Sequence, residues 1–156
     1  MTQCVWRIAT ETQLYAADDF SGRGAADSGG RWNSTGVAMV YASSHISLAV
    51  LETIAHLNLG ALPLNRFLIR IDIPDDVWER RTELTIPAAW NAHPAGISAI
   101  SAGDQWVNGQ SSAIGIVPSV IVPQEKNVLI NPQHADARKL VANNTGRWTY
   151  DARLRK

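Results

Sequence analysis

A chain of 156 residues, 46% hydrophobic and 18% charged, has the size and balance of one globular domain with a sizeable core, which excludes a disordered polymer. Formal net charge is zero at pH 7 and no block of like charges occurs; Arg80-Arg81 and the "ARLRK" tail are too short for the basic surface that nucleic acid requires. The single cysteine, Cys4, excludes an internal disulfide and permits a reducing compartment.

The opening "MTQCVWRIATETQ" lacks the basic stretch and apolar core of a signal peptide. No apolar run reaches the roughly 18 residues of a membrane span. A cytoplasmic protein without membrane contact is therefore expected. "CVWRIA" (4–9) reads as a first strand, followed by a polar, glycine-rich loop from about Asp18 to Gly36. "VAMVYA" (37–42) predicts a second strand. Ser43 or Ser44 then caps a helix over 44–59 that stops at Gly60. "RFLIRIDI" (66–73) alternates as a strand up to Pro74.

From about Ala88 to Gln110 the sequence suggests loop with a short helix or two. "AIGIVPSVIV" (113–122) is a strand pair or one bent strand, because Pro118 cannot donate to a central ladder. A strand at 127–132, a helix at 133–142 and a last strand at 147–151 complete the pattern. Helices do not alternate regularly with strands, so the class is α+β.

Chemistry concentrates in three places. The helix at 44–59 is apolar on nearly every face, which implies burial, yet it carries Glu52. A carboxylate there either makes an i,i+4 contact with His56 or is kept in a cleft to face a cationic centre or substrate hydroxyls. In "GGRWNSTG" (29–36), Arg31 is either a surface cation stacked on Trp32 or a fork for phosphate or carboxylate, with Gly29 and Gly30 letting a ligand approach the backbone. Tyr41, at the end of a strand, is half-buried packing or a flat face for an aromatic ligand. The four histidines have no zinc spacing, so no metal is expected. The glycines match neither a dinucleotide fingerprint nor a P-loop, and no G-x-S-x-G elbow occurs.

Taken in order, "GGRWNSTG", "VYAS", "LAVLETIAHL" and "WVNGQSSAIGIVPSVIVPQEKNVLINPQHAD" resemble the RES domain, the toxin half of RES–Xre toxin–antitoxin pairs, from about Trp6 to Asp136. The resemblance implies one RES domain over 1–156, with an ADP-ribosyltransferase-like fold: two small sheets around an NAD-binding cleft, flanked by helices. It implies an enzyme that consumes NAD+ as substrate, passing ADP-ribose to water, phosphate or a protein. It also implies an Xre-type helix-turn-helix antitoxin as partner.

Residue by residue, the family's arginine falls on Arg31, its glutamate on Glu52 and its intervening aromatic on Tyr41, while Arg7 and His56 match further family positions. The family's serine is assigned to Ser112, with Ser111 and Ser119 as rivals. On this reading Glu52 stabilises positive charge developing on the ribose, Arg31 clamps the pyrophosphate or nearby ribose, Tyr41 packs on nicotinamide, and Ser112 orients one of these groups without acting as nucleophile. The competing classes are a catalytically silent nucleotide- or peptide-binding module and an RNase toxin. The second would need a basic groove and an acid–base pair that the sequence does not display.

Overall fold

β1 (Thr2–Thr10) and β3 (Arg66–Pro74) pair antiparallel along their full length, from Thr2 opposite Pro74 to Thr10 opposite Arg66. In β3, Ile69, Ile71 and Ile73 are buried while Arg70 faces water, so a period of two sends one face into the core. β2 (Val40–Ser43), β5 (Ile114–Pro118) and β6 (Lys126–Ile130) are packed on both faces. Val128 and Ile130 join one apolar cluster with Val40, Ile71 and Ile114, whereas Leu129 joins another with Trp32, Met39 and Trp106. Strands buried on both sides read as continuous apolar runs, as "VLI" does here.

The two-residue β4 (Thr82–Glu83) adds to β5 in parallel, and β7 (Val141–Arg147) adds to β3 antiparallel. In the computed structural model, which describes residues 2–57 and 62–154, these strands form one sheet in the order β4-β5-β6-β2-β1-β3-β7. The α+β class agrees with expectation. Two separate sheets do not form, because β1 bonds to β2 as well as to β3. That central joint is narrow: β1 and β2 share one residue pair, Trp6 with Ser43. Four strands lie on one side of it and three on the other.

The helices are α1 (Arg23–Ser28), α2 (Ile46–Ile54), α3 (Asp75–Glu79) and α4 (Ile97–Gly109). α2 is shorter than predicted and begins after His45, with no side-chain cap from Ser43 or Ser44; the end expected at Gly60 lies outside the described residues. It is not buried all round. Leu48 and Ala49 are its buried residues and Leu51 is 41% exposed, because the helix lies on the sheet with one face only. Where a loop with a short helix or two was expected, α4 is one helix of 13 residues. Its buried stripe, Ala99, Gly103, Trp106 and Val107, has helical spacing but is half small residues, which gives a weak apolar signal.

The helix expected over 133–142 is a 3-10 turn, Ala135–Lys139, after which Leu140 enters the core and β7 begins. The last strand accordingly starts earlier than predicted and ends at Arg147. "VANNTGR" is polar and exposed and lacks alternation; it forms a strand because it pairs with the edge of β3. Among the described residues no helix is long and apolar enough to cross a membrane.

Candidate active site

Where the pairing of β1 with β2 lapses, a cleft of about 950 Å³ opens. β1 gives it Trp6 and Arg7, β2 gives Tyr41 and Ser43, α2 gives Glu52, the turn after α2 gives His56, β6 gives Asn127, and the glycine-rich loop gives Arg31. A smaller hollow of about 220 Å³ shares Arg7 and Tyr41 with it. Arg7, Arg31, Tyr41, Glu52 and His56 are thus brought to one wall system, from four separate stretches of chain. Ser112 is not among the cleft residues.

Glu52 is half-buried and held on one side. Its Oε1 accepts hydrogen bonds from Ser119 Oγ and from Asn127 Nδ2, both at 2.7 Å. A carboxylate oxygen has two acceptor positions, so these donors fill Oε1, while Oε2 has no hydrogen bond among the described residues. His56 does not touch the carboxylate, as an i,i+4 pair would; its Nδ1 lies 2.7 Å from the Glu52 backbone oxygen.

Ser119 is fully buried just beyond β5, after Pro118 has ended the ladder. Its Oγ accepts the backbone N–H groups of Ile121 at 3.1 Å and Val122 at 3.0 Å. With both lone pairs engaged, its one proton is directed at Glu52. Such a hydroxyl positions a carboxylate and is unsuited to nucleophilic attack. Ser112, the serine favoured from sequence, sits in the core instead. Its Oγ donates to the Ile114 carbonyl at 2.9 Å, accepts from Trp106 Nε1 at 3.1 Å and lies 2.7 Å from Thr82 Oγ1. That side chain has no capacity left for a ligand.

The glycine-rich loop is shaped by Tyr41 and Asn33. The Tyr41 hydroxyl donates to Asn33 Oδ1 at 2.6 Å and accepts from the Trp32 N–H at 3.0 Å. Asn33, buried, donates to the carbonyls of Ala25, Ser34 and Val37. A Cβ on Gly30 would lie 2.7 Å from the Tyr41 hydroxyl and 2.8 Å from Asn33 Oδ1. Gly30 is therefore small to admit this internal bond, and not a ligand. Burial, the largest effect, pushes the Tyr41 phenol well above its ordinary range, Asp104 adding to it while the Trp32 N–H and Arg31 oppose it. Tyr41 therefore stays neutral.

The Arg31 Nη1 donates to the Trp90 carbonyl at 2.9 Å and the Ala92 carbonyl at 2.7 Å, tying down the loop that brings His93 and Pro94 to the cleft. Its Nε and Nη2 make no hydrogen bond to the described residues, which leaves one edge of the fork for an anion. The Trp32 and Trp90 rings stack beside it at 6.3 Å. Arg7 and Arg66 also line the cleft; Arg66 donates from Nη1 to Asn65 Oδ1, whereas the buried Nε of Arg7 has no hydrogen-bond partner among the described residues. Burial pushes the Arg7 pKa down, opposed by Asp19 and Tyr15.

Sequence reasoning missed Asn127 and the loop-wiring role of Asn33. An asparagine heading the otherwise apolar run "NVLI" is the one local mark of Asn127, and it does not name Glu52 as the partner. Among the described residues, no group of three His, Cys, Asp or Glu is placed to hold a metal ion.

The RES domain model matches residues 4–152. A protein named Prs ADP-ribosylating toxin, from Sphingobium sp. (strain YBL2), is 52% identical over 157 aligned positions that cover 99% of this chain and 98% of that one. Toxin Res of Yersinia enterocolitica is 37% identical over 120 positions, 77% of this chain and 79% of its own. Toxin Res of Photorhabdus laumondii is 36% identical over 127 positions, 81% of each chain. The match along nearly the whole chain, together with these relatives, places this chain in the RES-domain family.

Proposed function

We infer that this chain is an NAD+-consuming toxin, a single RES domain with an ADP-ribosyltransferase-like cleft. The observation that carries the reading is Glu52: a carboxylate on a cleft wall with one oxygen saturated by protein donors and the other without a hydrogen bond among the described residues. The cleft lies at the upper end of the roughly 300–1,000 Å³ of ligand sites, which suits a dinucleotide, and Arg7 and Arg31 among its lining residues suit a pyrophosphate.

Glu52 Oε2 accepts a hydrogen bond from a ribose hydroxyl and faces the positive charge that develops on the sugar. The bond from nicotinamide nitrogen to the anomeric carbon breaks, and its electron pair leaves on neutral nicotinamide. The acceptor's nucleophile bonds to the anomeric carbon and releases a proton to solvent. The free edge of Arg31 and the guanidinium of Arg7 hold the phosphates, the Tyr41 ring packs on nicotinamide, and His56 stands at the mouth. Ser119, in place of Ser112, holds Glu52.

The acceptor is a protein, the Prs in the name of the Sphingobium relative, with water in competition. The partner that restrains the toxin is an Xre-type helix-turn-helix antitoxin that covers the cleft. Mass spectrometry of the products formed from NAD+, with and without phosphate and purified Prs, tests this reading. Free nicotinamide and a Prs carrying one ADP-ribose are expected. NAD+ recovered intact would leave a silent binding module, and RNA cleavage without NAD+ loss would leave an RNase.

A further inference from the structure

The Ser119 bond accounts for one of the two donors on Glu52 Oε1. The second comes from Asn127, and Asn127 is itself held. Its Oδ1 accepts a hydrogen bond from Ser43 Oγ at 2.8 Å while its Nδ2 reaches Glu52 at 2.7 Å. An asparagine amide has a donor end and an acceptor end that differ only by a half-turn about the last side-chain bond. Turned the other way, Asn127 would set its carbonyl oxygen against the carboxylate. The Ser43 hydroxyl, by occupying the oxygen end, opposes that half-turn.

Ser43 is well placed for the task. It stands directly opposite Asn127 in the β2–β6 ladder, on neighbouring antiparallel strands where cross-strand side chains meet. It is buried, and it is also the residue that pairs with Trp6 at the narrow joint between β1 and β2. The position of Glu52 is thereby fixed from two directions: by the turn at Ser119 and by the sheet at Asn127.

We propose that Asn127 and Ser43 are positioning residues for the NAD+-cleaving reaction, a two-step relay that fixes the Glu52 carboxylate with Oε2 toward the anomeric centre. The inference rests on the role given above to Glu52. Both residues act through Glu52, so their loss lowers turnover more than substrate binding.

The test is steady-state nicotinamide release from NAD+ by the purified full chain, with thermal midpoints measured in parallel. Asn127→Asp keeps shape and replaces the donor by a second carboxylate. It should lower kcat about a hundredfold, the scale of losing an electrostatic stabiliser, with KM changed less than about threefold. It should also move the acid limb of the pH–rate profile upward, because two adjacent carboxylates resist joint ionisation. Ser43→Ala should lower kcat about tenfold, the loss of one hydrogen bond at second hand. The double variant S43A/N127A should lose no more than Asn127→Ala alone, since Ser43 works through Asn127. If Asn127→Asp does not fold, Ser43→Ala and the double variant still read the relay. Wild-type kcat and pH profile in these variants, with Glu52→Gln inactive, would overturn the relay and leave the role of Glu52 standing. Losses that track the thermal midpoint with an unmoved pH profile would also overturn it, as would additive effects in the double variant. An active Glu52→Gln would remove both readings.

Discussion

The Ser119 hydroxyl donates to Glu52 Oε1 at 2.7 Å, joining the turn after β5 to the middle of α2 across 67 residues of chain. This bond distinguishes two serines that look alike in sequence. Ser119→Ala is expected to lower kcat in the folded fraction at least about tenfold, with a smaller loss of stability than at Ser112, because the N–H groups it frees belong to exposed Ile121 and half-buried Val122. Ser112→Ala should do the reverse, because it strands the buried Trp106 N–H and loosens the Thr82 and Ile114 contacts. A cost of about 1–3 kcal/mol in stability is expected there, with near-normal kcat in the folded fraction. Denaturation curves read beside kinetics separate the two, and the opposite ranking would return the catalytic serine to Ser112.

Arg31 and Arg7 should fail in different ways. Arg31 ties two loop carbonyls with one nitrogen and keeps a second edge for an anion, a geometry that a lysine ammonium cannot reproduce. Arg31→Lys is expected to lower kcat/KM at least about tenfold despite the retained charge. Arg7 has a buried Nε without a partner among the described residues, so Arg7→Gln should raise KM for NAD+ about tenfold while leaving the thermal midpoint unchanged or higher. A thermal midpoint that dropped sharply in Arg7→Gln would mean that Arg7 is structural.

How much of this was legible in the sequence depends on the range of the interaction. Glu52, Arg31 and Tyr41 stand in local motifs, and all three line the cleft. β3 announces itself because one face is wet and the other dry. Ser119 and Asn127 lie 67 and 75 residues from Glu52, and nothing local to either marks the contact. α4 was hidden for another reason: Gly103 is a packing surface there, since a methyl on it would run into the Trp32 carbonyl. Small residues chosen for close approach carry no hydrophobic signal. β7 was hidden because pairing with a neighbour, and not its own composition, makes it a strand.

Gly30 offers a test of the loop. Gly30→Ala forces a methyl against the Tyr41 hydroxyl and Asn33 Oδ1 and should cost about 1–3 kcal/mol in stability, lowering activity as well. Gly109→Ala, with open space around its Cβ position, is the control and should be neutral or slightly stabilising. Urea titration of both gives the comparison. Equal stability would show that the Tyr41–Asn33 bond does not shape the loop.

Occlusion of the cleft by the antitoxin has a measurable consequence. The complex should bury more than roughly 1,000 Å² and release nicotinamide far more slowly than the free chain. An acidic segment is expected against Arg7 and Arg31, so added salt should restore part of the activity. A purified complex that cleaved NAD+ at the free rate would place the antitoxin's action elsewhere.

The central claim is that the Glu52 carboxylate stabilises the breaking of the nicotinamide–ribose bond. The most direct measurement is single-turnover release of nicotinamide from NAD+ by the wild-type chain and by Glu52→Gln, with NAD+ affinity determined on both. Glu52→Gln retains the shape and the hydrogen-bonding reach of the side chain and removes its charge. The bond-breaking rate should fall at least about a hundredfold, while NAD+ affinity changes less than about threefold. A Glu52→Gln variant that cleaves NAD+ at the wild-type rate would contradict the account.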